Sequence, residues 1–219
     1  MKLSKLVAIP LAFAAGAFTL PASAAASLYF SLDGTNYTLL AADGDNDGVV
    51  AYVGTIAGSS FTNVNILAGQ SKPTLGTSAL PKMDVSFSGT SSGSGALWIA
   101  FSDTGFTTTL PASSAFSASN NSDFSINISD YYSSTNALNA RTTQCNGTLT
   151  IANIGTGTGS CTVAGSSPFS ITQVIKLNPT GAGQLASIDS RISVPEPGTL
   201  ALFGIGLIGL GLLRRKITA

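Results

Sequence analysis

The sequence predicts a mainly β protein: a single β-sandwich, jelly-roll-like, flanked by an N-terminal signal helix and a C-terminal transmembrane helix. Three observations predict the sandwich. Apolar and polar residues alternate in short runs, as in Phe124-Ser125-Ile126-Asn127-Ile128, the period of a strand with one buried and one wet face. Clusters of Gly, Asn, Asp and Ser punctuate these runs, among them residues 89–95 and 155–159, where turns are expected. No 11-residue window between the termini shows a helical stripe.

The elements follow in order. Lys2 and Lys5 precede an apolar stretch from Leu6 to Leu20 and then Pro21-Ala22-Ser23-Ala24. Charged, hydrophobic and small-residue regions in that order make a secretory signal peptide over residues 1–24. Ala22 and Ala24 mark cleavage after Ala24, with Ala26 as the second choice. An uncleaved anchor helix is the alternative, though Pro10 interrupts a short run.

The body, residues 25–193, reads as about nine or ten strands joined by Greek-key links. Leu28, Phe30 and Leu32 alternate with polar neighbours; Val85 and Phe87, then Leu97, Ile99 and Phe101, repeat the pattern. Later come Leu149 and Ile151, Phe169 to Leu177, and Ile188, Ile192 and Val194. The segment 110–121 shows no clear pattern and is expected to be a long loop. Asp43, Asp45 and Asp47, with Gly48, have the spacing of a calcium loop, three oxygen donors ahead of a glycine turn. Position 12 of that loop is Gly54, where a bidentate glutamate would be needed. An acidic turn between strands at 37–40 and 49–53 is therefore the expectation, and a weak calcium site the alternative.

The tail has three parts. In Val194-Pro195-Glu196-Pro197, two prolines bracket one carboxylate and keep the chain stiff and extended. Leu200 to Leu213 carries no charged or polar side chain over 14 residues, a rise of about 21 Å against a bilayer core of roughly 30 Å. Its glycines suit a membrane helix better than a soluble one. Arg214, Arg215 and Lys216 then supply a basic stop-transfer triplet that stays cytoplasmic.

These three parts, in this order over residues 194–219, resemble the PEP-CTERM sorting signal. The resemblance implies export across the inner membrane of a Gram-negative bacterium and recognition by an exosortase. It further implies a precursor anchored transiently in the membrane and a mature protein at the cell surface or outside, among exopolysaccharide or biofilm. The same tail also bears a name borrowed from ice-binding proteins, which implies nothing about ice here. In the body, residues 43–48, 54–61, Ser71-Lys72-Pro73 and 101–106 resemble exported proteins with this tail that have no assigned activity.

Composition narrows the function. Ten basic and ten acidic residues cancel overall, but five of the basic ones lie in the terminal signals. The body holds Lys72, Lys82, Arg141, Lys176 and Arg191 against nine aspartates, a balance of −4. With no basic patch, nucleic acid is not an expected partner. The chain has no histidine, so Ser-His-Asp and Cys-His arrangements and the usual zinc clusters are unavailable. Cys145 and Cys161, an even count in an exported chain, are expected to form one disulfide closing a loop of about 15 residues, a constraint of about 3 kcal/mol.

No enzyme and no cofactor is therefore expected. The expected function is that of a non-catalytic surface or matrix protein. A carbohydrate-binding module on the same fold is the first alternative. Its candidate platform is Tyr131-Tyr132 in a loop, with Trp98 opposite in phase to Leu97 and Ile99 and either outward-facing or half-buried. A secreted hydrolase is the second. It would need two of Asp84, Asp103, Asp123, Asp130 and Asp189 to converge in a cleft.

Overall fold

Thirteen strands and no helix make up the described part of the chain, which in this computed structural model is residues 26–194 except positions 109 and 146. In chain order they are β1 (Ser27–Ser31), β2 (Thr38–Ala42), β3 (Val49–Gly54), β4 (Phe61–Gln70) and β5 (Lys82–Ser92). Then come β6 (Leu97–Phe106), β7 (Ala112–Asn121), β8 (Ile126–Ser133) and β9 (Thr143–Gln144). The last four are β10 (Leu149–Ile151), β11 (Ile154–Val163), β12 (Phe169–Leu177) and β13 (Ala182–Ser193). The expected signal peptide with Ala22 and Ala24, Pro195 to Pro197, the apolar span and Arg214, Arg215 and Lys216 lie outside the described residues. Among the described residues no helix is long and apolar enough to cross a membrane.

The strands form two antiparallel sheets. The seven-stranded sheet runs β10-β8-β12-β6-β1-β2, with β9 also against β8; the six-stranded sheet runs β11-β7-β13-β5-β4-β3. Their facing sides make one core, because alternate residues of each strand point the same way. Leu97, Ile99 and Phe101 of β6 share the inner face with Ile126 and Ile128 of β8 and Ile175 and Leu177 of β12. Met83, Val85 and Phe87 of β5, with Ile188 and Ile192 of β13, answer them from the other sheet. The two layers approach closely at Gly69 of β4, where an added Cβ would lie 2.4 Å from the Phe101 ring.

The segment expected as a long loop at 110–121 is largely strand β7, paired on both edges. Its inward positions are Ala112, Ser114, Phe116, Ala118 and Asn120. One large apolar side chain among small and polar ones leaves no visible hydrophobic alternation, so pairing rather than propensity makes this strand. The glycines at 155–159 do not separate strands either; they lie within β11. Phe116 of the neighbouring strand covers Gly159, and Leu149 covers Gly157.

The cysteines form the disulfide Cys145–Cys161, Cα to Cα 5.3 Å. It ties the segment after β9, in the seven-stranded sheet, to β11 in the six-stranded one. A second clasp joins the layers elsewhere. Lys72, in the segment after β4, donates to Asp103 on β6 at 2.9 Å. Ser71 Oγ donates to the same carboxylate at 2.6 Å, and the Lys72 ammonium also lies 4.6 Å from the Phe106 ring centroid.

Candidate functional site

The outer face of the seven-stranded sheet carries the residues left over from core packing. Register places Trp98, Lys176 and Asn127 in one cross-strand row and Ala100, Val174 and Ser129 in the next. Ser102, Thr172 and Tyr131 make the third. Two segments rise beside this surface and turn it into a groove of about 400 Å³. One is the β1–β2 connection, the other the segment 134–142 between β8 and β9.

The first wall is held by a carboxylate-centred turn. Asp33 Oδ1 accepts the backbone N–H groups of Thr35 and Asn36, both at 2.8 Å, and Oδ2 accepts from the Asn36 side chain at 2.7 Å. These donors, the Asn36 backbone first, hold the Asp33 carboxyl far below the usual carboxylate range. The turn presents Gly34, at φ 77°, against the Trp98 indole. A Cβ there would lie 2.9 Å from Trp98 Cε2, so only glycine suits both the left-handed backbone and the contact.

The second wall is Arg141. Its guanidinium sits 4.0 Å from the Tyr37 ring centroid and donates to the carbonyls of Gly34 and Thr35, each at 3.3 Å. Burial pushes the Tyr37 hydroxyl pKa up, partly offset by Arg141. Lys176 lies across the floor with its ammonium 5.0 Å from the Trp98 ring centroid. On the far side Gln144 Nε2 donates to Ser129 Oγ and Thr148 Oγ1 at 3.2 Å, and Asn127 Nδ2 donates to Thr150 Oγ1 at 2.8 Å. The groove thus combines aromatic faces, fixed hydroxyls and amides, and two cations.

Tyr131 lines this groove, but Tyr132 does not. The pair expected on a loop belongs to strand β8, where successive side chains take opposite faces. Tyr132 packs against the core and donates its hydroxyl to the Thr162 carbonyl at 3.3 Å. Trp98 is outward-facing and half-buried together. Tyr37, Arg141 and Lys176 were not among the expected site residues. For Lys176 a signal existed, since its phase opposes Ile175 and Leu177 as that of Trp98 opposes Leu97 and Ile99.

The acidic turn lies elsewhere, between β2 and β3. One carboxylate oxygen from each of Asp43, Asp45 and Asp47 falls within 4.8 Å of the others. Asp43 Oδ2 accepts the Gly48 N–H at 2.9 Å and Asp47 Oδ1 accepts the Val49 N–H at 2.7 Å. Backbone capping thus occupies two of the six oxygens.

The aspartates that hydrolysis would need do not gather in the groove, although Asp84 and Asp189 are neighbours on the six-stranded sheet. Asp84 bonds Arg191 at 2.9 Å, Asp103 bonds Lys72, and Asp123 accepts the Leu185 N–H at 2.8 Å. Asp130 is buried in the core, while Asp189 is exposed on β13. Partial desolvation by its neighbours on the sheet raises the Asp189 pKa, helped by Asp84 and opposed by Arg191.

Comparison with curated proteins gives no match. Among solved structures the chain is similar to TmCBM61 in complex with β-1,4-galactotriose, at 11% identity over 68% of this chain and 84% of that one, TM-score 0.26. It is similar to the K1 cleaved adhesin domain of Lys-gingipain from Porphyromonas gingivalis W83, at 13% identity over 82% and 94%, TM-score 0.32. A third is CBM28, a carbohydrate-binding module specific for non-crystalline cellulose, at 11% identity over 66% and 86%, TM-score 0.31. Likeness at this level carries no weight for ligand or activity. The tail is different. There, residues 193–216 match the PEP-CTERM protein-sorting motif, so the chain carries the sorting signal of an exported, exosortase-processed protein.

Proposed function

We propose that the chain is a non-catalytic surface protein whose body binds carbohydrate in the groove beside Trp98 and Tyr131. The groove carries this reading: aromatic faces suit the apolar faces of sugar rings, and the flanking hydroxyls and amides suit sugar hydroxyls. In this reading the precursor crosses the inner membrane of a Gram-negative bacterium and is held briefly by the span at 200–213. An exosortase cuts near Pro195-Glu196-Pro197, and the body stays at the cell surface or in the matrix among exopolysaccharide. Among the described residues the groove is lined by hydroxyls, amides and aromatic rings rather than by the paired carboxylates that a glycosidase uses.

A glycan array probed with the full chain in mild detergent tests the reading. Tyr131→Ala is expected to weaken binding about tenfold, the scale of one lost aromatic contact. Tyr132→Phe, which removes only the hydroxyl bonded to Thr162, is expected to leave binding unchanged. Equal affinity for wild type and Tyr131→Ala on every bound glycan would count against the groove.

No cofactor is assigned. Calcium takes six to eight oxygens, and two of the aspartate oxygens in the 43–48 turn already cap backbone N–H groups. Chelation is therefore expected to leave the melting temperature unchanged. A rise on adding millimolar calcium, lost in Asp45→Asn, would establish the weak ion site instead.

A further inference from the structure

We infer that the groove selects acidic glycans, those bearing carboxylates such as uronic acid residues; this rests on the carbohydrate reading above and names its ligand class. The observation is where the positive charge goes. The body has five basic side chains against nine aspartates. Lys72 and Arg191 are used in ion pairs with Asp103 and Asp84, and Lys82 is exposed at the start of β5 in the other sheet. Arg141 and Lys176 both line the groove, and among the described residues neither makes an ion pair. Among the described residues no carboxylate joins them in the lining.

Neither cation is held by a direct bond to an acid among the described residues, and the Asp33 carboxylate of the adjoining turn is taken up by the Thr35 and Asn36 N–H groups and the Asn36 amide. Arg141 is held by the Tyr37 ring and by two backbone carbonyls; Lys176 is held against Trp98. Such contacts orient a cation yet leave its charge uncompensated. Arg141 has five N–H donors, and its two bonds to carbonyls leave donors for a planar carboxylate. An acidic body would repel an anionic polymer everywhere except at a place where cations gather, so the groove also becomes the preferred point of approach.

A neutral sugar would make the stacking and hydroxyl contacts but leave both cations unmatched. An acidic sugar makes the same contacts and pairs them. The preference is therefore expected to be electrostatic and to shrink as salt rises.

Calorimetric titration of the full chain in mild detergent tests this with three probes: oligogalacturonate, the same oligomer after carboxyl reduction, and dextran sulfate. The acidic oligomer is expected to bind at least tenfold tighter than its reduced form at low salt, and tighter than dextran sulfate. Arg141→Gln and Lys176→Gln are each expected to shrink that difference severalfold, because the acidic oligomer loses more affinity than the reduced one. Arg141→Lys, which keeps the charge, is expected to retain part of it. Melting temperatures of the variants guard against a collapsed groove. Equal binding of the acidic and reduced oligomers, or a preference untouched by both Gln variants, would overturn the inference and leave carbohydrate binding standing. Stronger binding of dextran sulfate would replace the carboxylate with a sulfate and overturn it as well. No binding of any probe, with an empty glycan array, would remove the carbohydrate reading itself.

Discussion

Lys72→Met is expected to lower the stability of the folded body by about 3–5 kcal/mol, the cost of leaving one member of a buried ion pair alone. Lys72 and Asp103 are both almost wholly enclosed, their side chains 4% and 0% exposed. The pair also spans the layers, with Lys72 in the segment after β4 of one sheet and Asp103 on β6 of the other. Removing the ammonium takes from Asp103 the charged partner that lies at 2.9 Å. Hydrogen bonds from Ser71 Oγ and from the Thr104 N–H, each at 2.6 Å, are retained. These keep the carboxylate solvated in part, which places the loss below that of a wholly orphaned charge. Urea unfolding monitored by Trp98 fluorescence measures it, and a melting temperature lower by on the order of 10 °C should accompany it. Lys72→Met with Asp103→Asn then supplies the control. The double variant has no buried charge to strand, so its loss is expected to be smaller than that of Lys72→Met alone. A single variant within 1 kcal/mol of wild type would mean that the pair contributes nothing to joining the sheets.

The physical reasons that this clasp escaped the sequence also explain what else did. Alternation revealed β6 and β8 because Leu97, Ile99 and Phe101, like Ile126 and Ile128, are large and inward-facing. It failed for β7, whose inward Ser114 and Asn120 read as solvent-facing; Asn120 instead donates to the carbonyls of Phe124 and Ala152 at 2.9 and 2.8 Å. The disulfide was legible because only two cysteines exist. The groove was legible in halves. Trp98 and Tyr131 could be singled out as aromatics, whereas Arg141 and Lys176 meet them only through long-range pairing and a loop crossing, and no local pattern encodes that. The same limit hid the polar residues of the interior, where register sets Gln173 directly opposite Asp130.

That interior position yields the other large effect. Asp130→Asn is expected to stabilise the protein at neutral and alkaline pH and to make little difference near pH 4. Asp130 is 2% exposed and points between the sheets, and among the described residues no donor, the neighbouring Gln173 amide included, reaches either carboxylate oxygen in good hydrogen-bond geometry. Burial pushes its pKa up to about 7, countered only in part by the neighbouring Gln173 amide. In the unfolded chain an aspartate titrates near 3.9. Between those values the folded state holds a proton that the unfolded state has released. Stability from this group is therefore fully present below pH about 4, falls as pH rises, and is gone once pH passes about 7. A difference of about three pKa units corresponds to on the order of 4 kcal/mol. Asparagine never ionises, so the gap between variant and wild type should open from near zero at pH 4 to that size at pH 8. Its amide can also donate to Gln173 Oε1, which otherwise lacks a partner. Carboxylates that titrate elsewhere, Asp33 included, act on both proteins alike and drop out of the difference. Urea midpoints at pH 4, 6 and 8 decide the matter: parallel profiles would show that the Asp130 carboxyl is solvated or paired in solution, and a gap widening with pH would show that the core holds it protonated.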